Sequence, residues 1–401
     1  MPNHPMPTDP LTRLKRAARA LALPLLAGAV LWPLHARAAA DLSTTEATAP
    51  NALADCYRLA GEPYAPPAFQ GVMVELIDAD AAIKACEAAR GLDPKDAMLA
   101  DLIGRAYQAR GDFPTARRFF TEASEAGNAY GKANLSLFLI EGAGGPAEPQ
   151  KGLALLQEVA EAGNMLAQYS LGLVYREGRA GQVPAPGKAV DWLARAAGQG
   201  HAVAMYDLAM MLRDGEGVPA DPMAALSWLE KAASLGDIDS QAALGYSFEQ
   251  GLGTPVDYAA AREWYGRAAE KNQIDAMTNL GRLFEAGEGG PVDYERAFQL
   301  YRDAAEAGSP VAMANLANFY EFGTGTDQSH RDAAYWLARA IMAGNDDVIE
   351  QLAQSPDQFS LDVRQGLQTF VTSRGLYAGP IDGAMTEGTL TALRRLVGET
   401  P

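Results

Sequence analysis

Apolar residues along this chain keep helical spacing inside a glycine-led module that returns seven times. Its copies open at Gly127, Gly163, Gly200, Gly236, Asn272, Gly308 and Gly344, with starts 36 or 37 residues apart. The copy from Gly236 to Lys271 divides at Gly251-Leu252-Gly253 into two segments of helical length. In the first, Leu244, Gly245 and Phe248 fall one turn apart, as do Leu280, Gly281 and Phe284 one period later. That is the spacing of a buried helical stripe. In the second, a large pair precedes an alanine pair: Trp228-Leu229 then Ala232-Ala233, Trp264-Tyr265 then Ala268-Ala269, Leu300-Tyr301 then Ala304-Ala305. Large against small is how stacked layers interlock, so each period predicts one helical hairpin in a stack.

Glycine inside a helix costs up to about 1 kcal/mol relative to alanine. Its recurrence at Gly172, Gly245 and Gly281 predicts a neighbouring helix lying close against the backbone. Between the two helices stand Gly215/Gly217, Gly251/Gly253, Gly287/Gly289 and Gly323/Gly325, read as a helix C-cap followed by a tight turn. A phosphate-cradling loop needs a lysine and a serine or threonine after its glycines. None of the four copies has them.

The order Leu-Gly, Tyr or Phe, Gly-any-Gly, Asp, Ala, Trp, Ala-Ala resembles the Sel1-like repeat family, relatives of the tetratricopeptide repeats, across six repeats at 127–345. Departures are Ser136 where glycine is usual, Leu155 in place of tryptophan, one inserted residue near Gly181 to Gly187, and Asn272 in place of the leading glycine. Asparagine also visits the left-handed region. Upstream, Ile103, Gly104, Tyr107, Ala116, Phe120 and Ala123 fall at tetratricopeptide spacing. Ala82 and Ala89 precede Ala116 and Ala123 by 34 residues, and Pro94 ends the earlier helix. Residues 78–126 thus resemble tetratricopeptide helices that begin the stack. The expected fold is all-α: a right-handed α-solenoid of helix-turn-helix repeats with a small C-terminal helical cap. What the resemblance implies is a non-enzymatic adaptor that holds other proteins on its surface, without a cofactor. By analogy with the fold, Tyr169, Gln241, Thr278 and Asn315 line the binding groove.

Residues 11–40 carry a basic stretch, an apolar stretch, and small residues at Ala36, Ala38 and Ala40. This reads as a secretory signal over residues 1–40, and export of the Gram-negative type would make the mature chain periplasmic. Pro24, Pro33 and His35 interrupt an apolar run shorter than the roughly 20 residues that span a bilayer, against a retained anchor. The whole chain carries a net charge of -17; removal of Arg13, Lys15, Arg16, Arg19, Arg37 and Asp9 with the signal leaves -21. Such a field disfavours nucleic acid and anionic lipid and suits basic protein surfaces, or simply keeps a long stack soluble. The two cysteines, Cys56 and Cys86, lie in the exported part. A disulfide would staple the segment 41–77, with Pro63, Pro66 and Pro67 inside the loop; two free structural cysteines are the alternative.

After Gly344 the period stops. The stretch from Leu367 to Leu396 resembles the small peptidoglycan-binding helical domain of cell-wall hydrolases through Leu367-Gln368, Gly375, Tyr377, Gly379 to Gly383, Thr389 and Ala392-Leu393. Met385 and Thr386 stand where phenylalanine and glycine are usual. The resemblance implies glycan contact through Tyr377, Gly379, Pro380 and Asp382, with residues 346–401 as a wall-binding unit; the other reading is a hairpin that caps the last repeat. Partners are therefore envelope proteins, with peptidoglycan the second candidate.

Chemistry is sparsely represented. Only His201 and His330 remain after the signal, both near helix starts, where they read as solvated turn or cap residues and not as metal ligands. No nucleophile elbow or zinc-binding helix motif occurs. Carboxylates are plentiful, so a Glu/Asp pair such as one drawn from Glu285 or Glu321 is a hydrolytic candidate. Nothing singles one pair out, and these glutamates share a periodic position with Glu141, Glu177 and Glu249. Periodicity favours a solvated or ligand-facing ridge.

Overall fold

The computed structural model describes residues 49–62 and 72–397, and among these nineteen α-helices and two short 3-10 turns, with no strand. The signal region and Pro63, Pro66 and Pro67 lie outside the described residues. Two compact units meet in sequence at Asp221. In the first, α1 (Ala49–Ala60) and α2 (Ala79–Arg90) precede three hairpins: α3 and α4 (Ala97–Ala109, Phe113–Glu125), α5 and α6 (Ala129–Glu141, Pro149–Glu161), and α7 and α8 (Met165–Glu177, Pro186–Gly198). Helix α9 (Ala202–Asp214) follows them. The second unit opens with α10 (Pro222–Ser234) and continues as the hairpins α11 and α12 (Ile238–Gln250, Tyr258–Ala269), α13 and α14 (Ile274–Ala286, Tyr294–Glu306), and α15 and α16 (Pro310–Phe322, His330–Met342). It ends in α17 (Asp346–Gln354), α18 (Leu361–Ser373) and α19 (Glu387–Arg394). Within each unit the repeat helices that follow one another in sequence pack together, as an α-solenoid requires, while α18 skips α17 and packs on α16.

The repeat glycines do two separate jobs. Gly251 closes α11 in the left-handed conformation at φ 70°, the expected C-cap. Gly253, at φ 76°, lies against the preceding layer: a Cβ there would come within 2.2 Å of the Pro222 carbonyl oxygen. Gly289 and Gly325 meet the Tyr258 and Tyr294 carbonyls in the same way. The second glycine of each pair is therefore the contact between successive hairpins, which turn chemistry alone does not explain. Asn272 holds φ 60° in place of the leading glycine, as expected.

The helical glycines bear out the close approach, through side chains. A Cβ on Gly245 would meet the Tyr265 ring at 2.6 Å, and one on Gly281 the Tyr301 ring at 2.9 Å. Both tyrosines are fully buried. In these two hairpins the second helix thus lays its large residue on the bare backbone of its own first helix.

At the chain's end, Val363, Leu367, Val371, Leu390, Leu393 and Leu396 join one apolar cluster with Ala334, Leu337, Ile341 and Leu352. The terminal helices cover the last repeat. At the other end Cys56 and Cys86 form a disulfide between α1 and α2, both sulfurs buried. No helix among the described residues is long and apolar enough to cross a membrane.

Candidate functional site

The first helices of the first unit build a cavity of about 200 Å³. Arg105 and Gln108 come from α3, Asn134 from α5, Leu166 and Tyr169 from α7, and Val203 from α9, with His201 at the α9 cap. Glu62 and Met73 to Glu75, which precede the repeats, complete the wall.

One side of this cavity rests on a buried polar cluster. Arg105, 3% exposed, donates from Nε to the Ala60 carbonyl at 2.9 Å, from one terminal nitrogen to the Val72 carbonyl at 2.6 Å, and from the other to Glu62 Oε2. It therefore grips both ends of the segment between Ala60 and Val72. The Asn134 amide nitrogen donates to Glu62 Oε1 at 3.1 Å and Asp101 Oδ1 at 2.9 Å, holding two carboxyl groups to one donor. Burial first, then the neighbouring Glu62 charge, push the Asp101 carboxyl up to about 7, against the pull of Asn134 and Arg105. Its Oδ2 is buried without a hydrogen-bond partner.

On the opposite side, Tyr169 stacks on His201 with ring centroids 4.5 Å apart and donates to Asp207 Oδ2 at 3.1 Å. His201 caps α9, its Nδ1 accepting from the Ala204 amide at 3.1 Å. Burial lowers this imidazole to about 3, so the ring is neutral. The cap role expected of His201 is met; His330 is instead the first residue of α16, which Ser329 caps, and it joins Asp362 of α18 at 3.0 Å.

The four residues expected to line a groove fare differently. Tyr169 does line the cavity. Gln241 is half-buried on α11, with Oε1 enclosed and unpartnered. Asn315 on α15 is half-buried, near the Tyr301 hydroxyl. Thr278 is corrected outright: it is 2% exposed, and its hydroxyl bonds to the Ile274 carbonyl at 3.0 Å and to Ser309 Oγ at 3.2 Å. It faces the next hairpin because that stretch of α13 turns its short polar residues, Thr278 and Asn279, into the packing layer.

The periodic glutamates divide: Glu141 and Glu285 are exposed, Glu177 is half-buried, and Glu249 and Glu321 are buried. Glu249, 4% exposed, accepts from the Tyr265 hydroxyl at 2.8 Å and from Arg282 at 2.5 Å. Glu285 accepts from Tyr301 at 2.7 Å, and buried Glu321 accepts from the Ser360 amide at 2.5 Å, anchoring α18. Glu141 and Glu177 both pair with Arg179. Glu249, Glu321 and Glu141 thereby link one hairpin to the next helices of the stack, while Glu285 holds the two helices of its own hairpin.

In the terminal unit, Tyr377, Gly379, Pro380 and Asp382 sit on an exposed or half-exposed turn. The turn is set by fully buried Gln368, whose Oε1 accepts from the Gly383 amide at 2.7 Å and whose Nε2 donates to the Ala384 carbonyl at 3.0 Å. The Asp382 carboxylate accepts from the Ala384 amide at 2.9 Å and from Gln368 at 3.2 Å, and these bonds lower its pKa. The leucine-glutamine pair and the Gly-Pro-Ile-Asp-Gly run thus fold each other. Nearby, Arg331, Tyr335, Asp362, Thr369 and Phe370 line an open hollow of about 660 Å³ between α16 and α18.

The cluster of Glu62, Asp101, Arg105 and Asn134 is absent from the sequence expectations. Its one signal is Asp101 and Arg105 standing one helical turn apart on either side of Leu102 and Ile103, charges set into an apolar stripe.

Comparison with known proteins gives the architecture its family. The model for the Sel1 repeat matches seven successive segments, 97–128, 129–164, 166–201, 202–237, 238–273, 274–309 and 310–345. The α3 and α4 hairpin, which resembles a tetratricopeptide repeat by spacing, is thus matched as a Sel1 repeat too. A crystal structure of a Sel1 repeat protein from Oxalobacter formigenes is similar at 27% identity and TM-score 0.54, covering 69% of this chain and 81% of that one. Another, c5321, a protective antigen of uropathogenic Escherichia coli displaying an SLR fold, is similar at 24% identity and TM-score 0.59, covering 81% and 72%. No curated protein matches the chain. With repeats matched from residue 97 to residue 345, the chain belongs to the Sel1 repeat family.

Proposed function

We propose that the protein is an exported, non-enzymatic scaffold that binds other proteins of the cell envelope through the first-helix face of its repeats. Sel1 repeats are protein-interaction scaffolds, and the observation that carries the proposal here is the cavity on that face. Four first helices and the segment before them hold polar and apolar groups in fixed positions, so a partner docks at little ordering cost. A disulfide at the N-terminal end supports export, because such bonds persist in oxidising compartments.

A second reading, contact with peptidoglycan through the terminal unit, is favoured by the exposed turn at Tyr377 to Asp382 and by the aromatic hollow at Tyr335 and Phe370. A photo-crosslinking residue introduced at Gln108 or at Ile381 separates the two in intact cells. The scaffold reading expects a discrete envelope-protein adduct from position 108 that Glu75→Lys abolishes. Sacculus-linked product from position 381, with none from 108, replaces it by the wall-binding reading.

A further inference from the structure

We propose that the cavity on the first-helix face takes a single lysine side chain of a partner protein, a chemistry that rests on the protein-binding reading of this face. Three observations carry it. The first is size. Sites for drug-sized ligands run to roughly 300–1,000 Å³, whereas this one is about 200 Å³, the scale of one long side chain. A partner anchors there as an interface hot spot does, by burying one residue in a preformed recess.

The second is the sign of its polar groups. Asn134 is only 9% exposed, its nitrogen is committed to Glu62 and Asp101, and among the described residues nothing donates to its carbonyl oxygen. An acceptor built into a cavity wall and left open calls for a donor. The obvious resident donor is occupied: Arg105 spends all three nitrogens on Ala60, Glu62 and Val72. Beside Asn134 stand the Glu62 carboxylate, neutralised in part by Arg105, and the exposed Glu75. Because Glu62 is paired with Arg105, the uncompensated charge on the wall is that of Glu75, and with the Asn134 oxygen it favours a cationic ligand over an anionic one.

The third is the apolar remainder of the wall. Met73, Val74, Leu166 and Val203 line it with Tyr169. A four-carbon stem lies against these groups while its ammonium reaches the Asn134 oxygen and the carboxylates, the division of labour by which lysine buries its chain and keeps its charge solvated by polar atoms.

The test uses the mature chain with methyl-labelled Met, Leu and Val, titrated to tens of millimolar with Nα-acetyl-lysine methylamide, with the norleucine analogue that lacks only the charge, and with the arginine analogue. Saturable shifts of the Met73, Leu166 and Val203 methyls are expected with lysine. Norleucine should bind at least about tenfold more weakly, the factor one charge-assisted hydrogen bond confers. Absence of shifts with lysine, equal binding of norleucine, or tighter binding of arginine overturns the proposal. Asn134→Leu should remove lysine binding, and a folded variant that keeps it overturns the proposal as well; if that variant does not fold, the lysine-norleucine comparison on the natural chain decides. An adduct at position 108 without lysine binding leaves the scaffold reading standing and removes only the lysine. Lysine binding without an adduct does the reverse.

Discussion

Asp101 and His201 lie near the same cavity and titrate against each other. Asp101 holds its proton to about 7 in the folded chain against 3.8 for an ordinary aspartate, so folding takes up a proton between those values. Its contribution is therefore full below about pH 4 and falls as pH climbs to about 7. His201 is the mirror case: neutral down to about 3 when folded, against 6.5 ordinarily, it favours the fold fully above pH 6.5 and loses that contribution as pH drops. Between about pH 4 and 6.5 the two slopes oppose, and above that only Asp101 acts. The groups facing it are Glu62, Arg105, Asn134 and the Tyr130 hydroxyl. Asp101→Asn copies the shape of the protonated acid and cannot ionise. Denaturant midpoints should show the variant gaining on the natural chain by on the order of 2 kcal/mol between pH 5 and pH 8. A difference that does not change with pH would show that Asp101 does not hold its proton.

At the scale of one hairpin, stability depends on which glycine is touched. Gly266, in the middle of α12, has nothing within 4 Å of an added Cβ. Gly266→Ala should therefore stabilise by about 0.5–1 kcal/mol, the usual gain from removing a helical glycine. Gly253→Ala meets both a positive φ and the Pro222 carbonyl of the preceding layer. It should cost about 1–2 kcal/mol for the left-handed backbone alone, and more for the collision. Thermal melts of the two variants moving in the same direction would contradict the layer contact. The period, the hairpins and the C-cap glycines were legible because each repeats, and a repeated local rule stands out against a varying background. The Gly253 contact was not, since the residue it meets lies about one period earlier in the chain. Thr278 misled for a related reason: spacing along α13 gives its face only relative to its own hairpin, and the next layer decides whether that face is covered. The Arg105 cluster was hidden because its acid, Glu62, comes from outside the repeat.

On the scale of the whole chain, a repeat array transmits stability only between neighbours, so its two ends are separate problems. At the N-terminal end α1 and α2 lie before the first matched repeat, which begins at residue 97, and the Cys56–Cys86 bond closes a loop of sequence separation 30. Such a bond contributes roughly 2–4 kcal/mol by restricting the unfolded chain. The C-terminal end relies on apolar contact: α18 and α19 cover Ala334, Leu337 and Ile341, and Glu321 fixes the Ser360 amide. The two devices were not equally legible. The cysteine pair named the first, and the bridge read from it is present, but the leucines of the terminal unit fitted a wall-binding domain as well as a cap. Hydrogen exchange on two altered proteins tests the separation. Cys56→Ser with Cys86→Ser should raise exchange in α1, α2 and α3 and leave residues 310–354 as they were. A chain ending at Phe359 should raise exchange in α15, α16 and α17, whose apolar cover it removes, while residues 97–177 keep their protection. Loss of protection along the entire chain in either case would mean that the array unfolds as one cooperative body, and that the terminal unit stabilises far more than the repeat it covers.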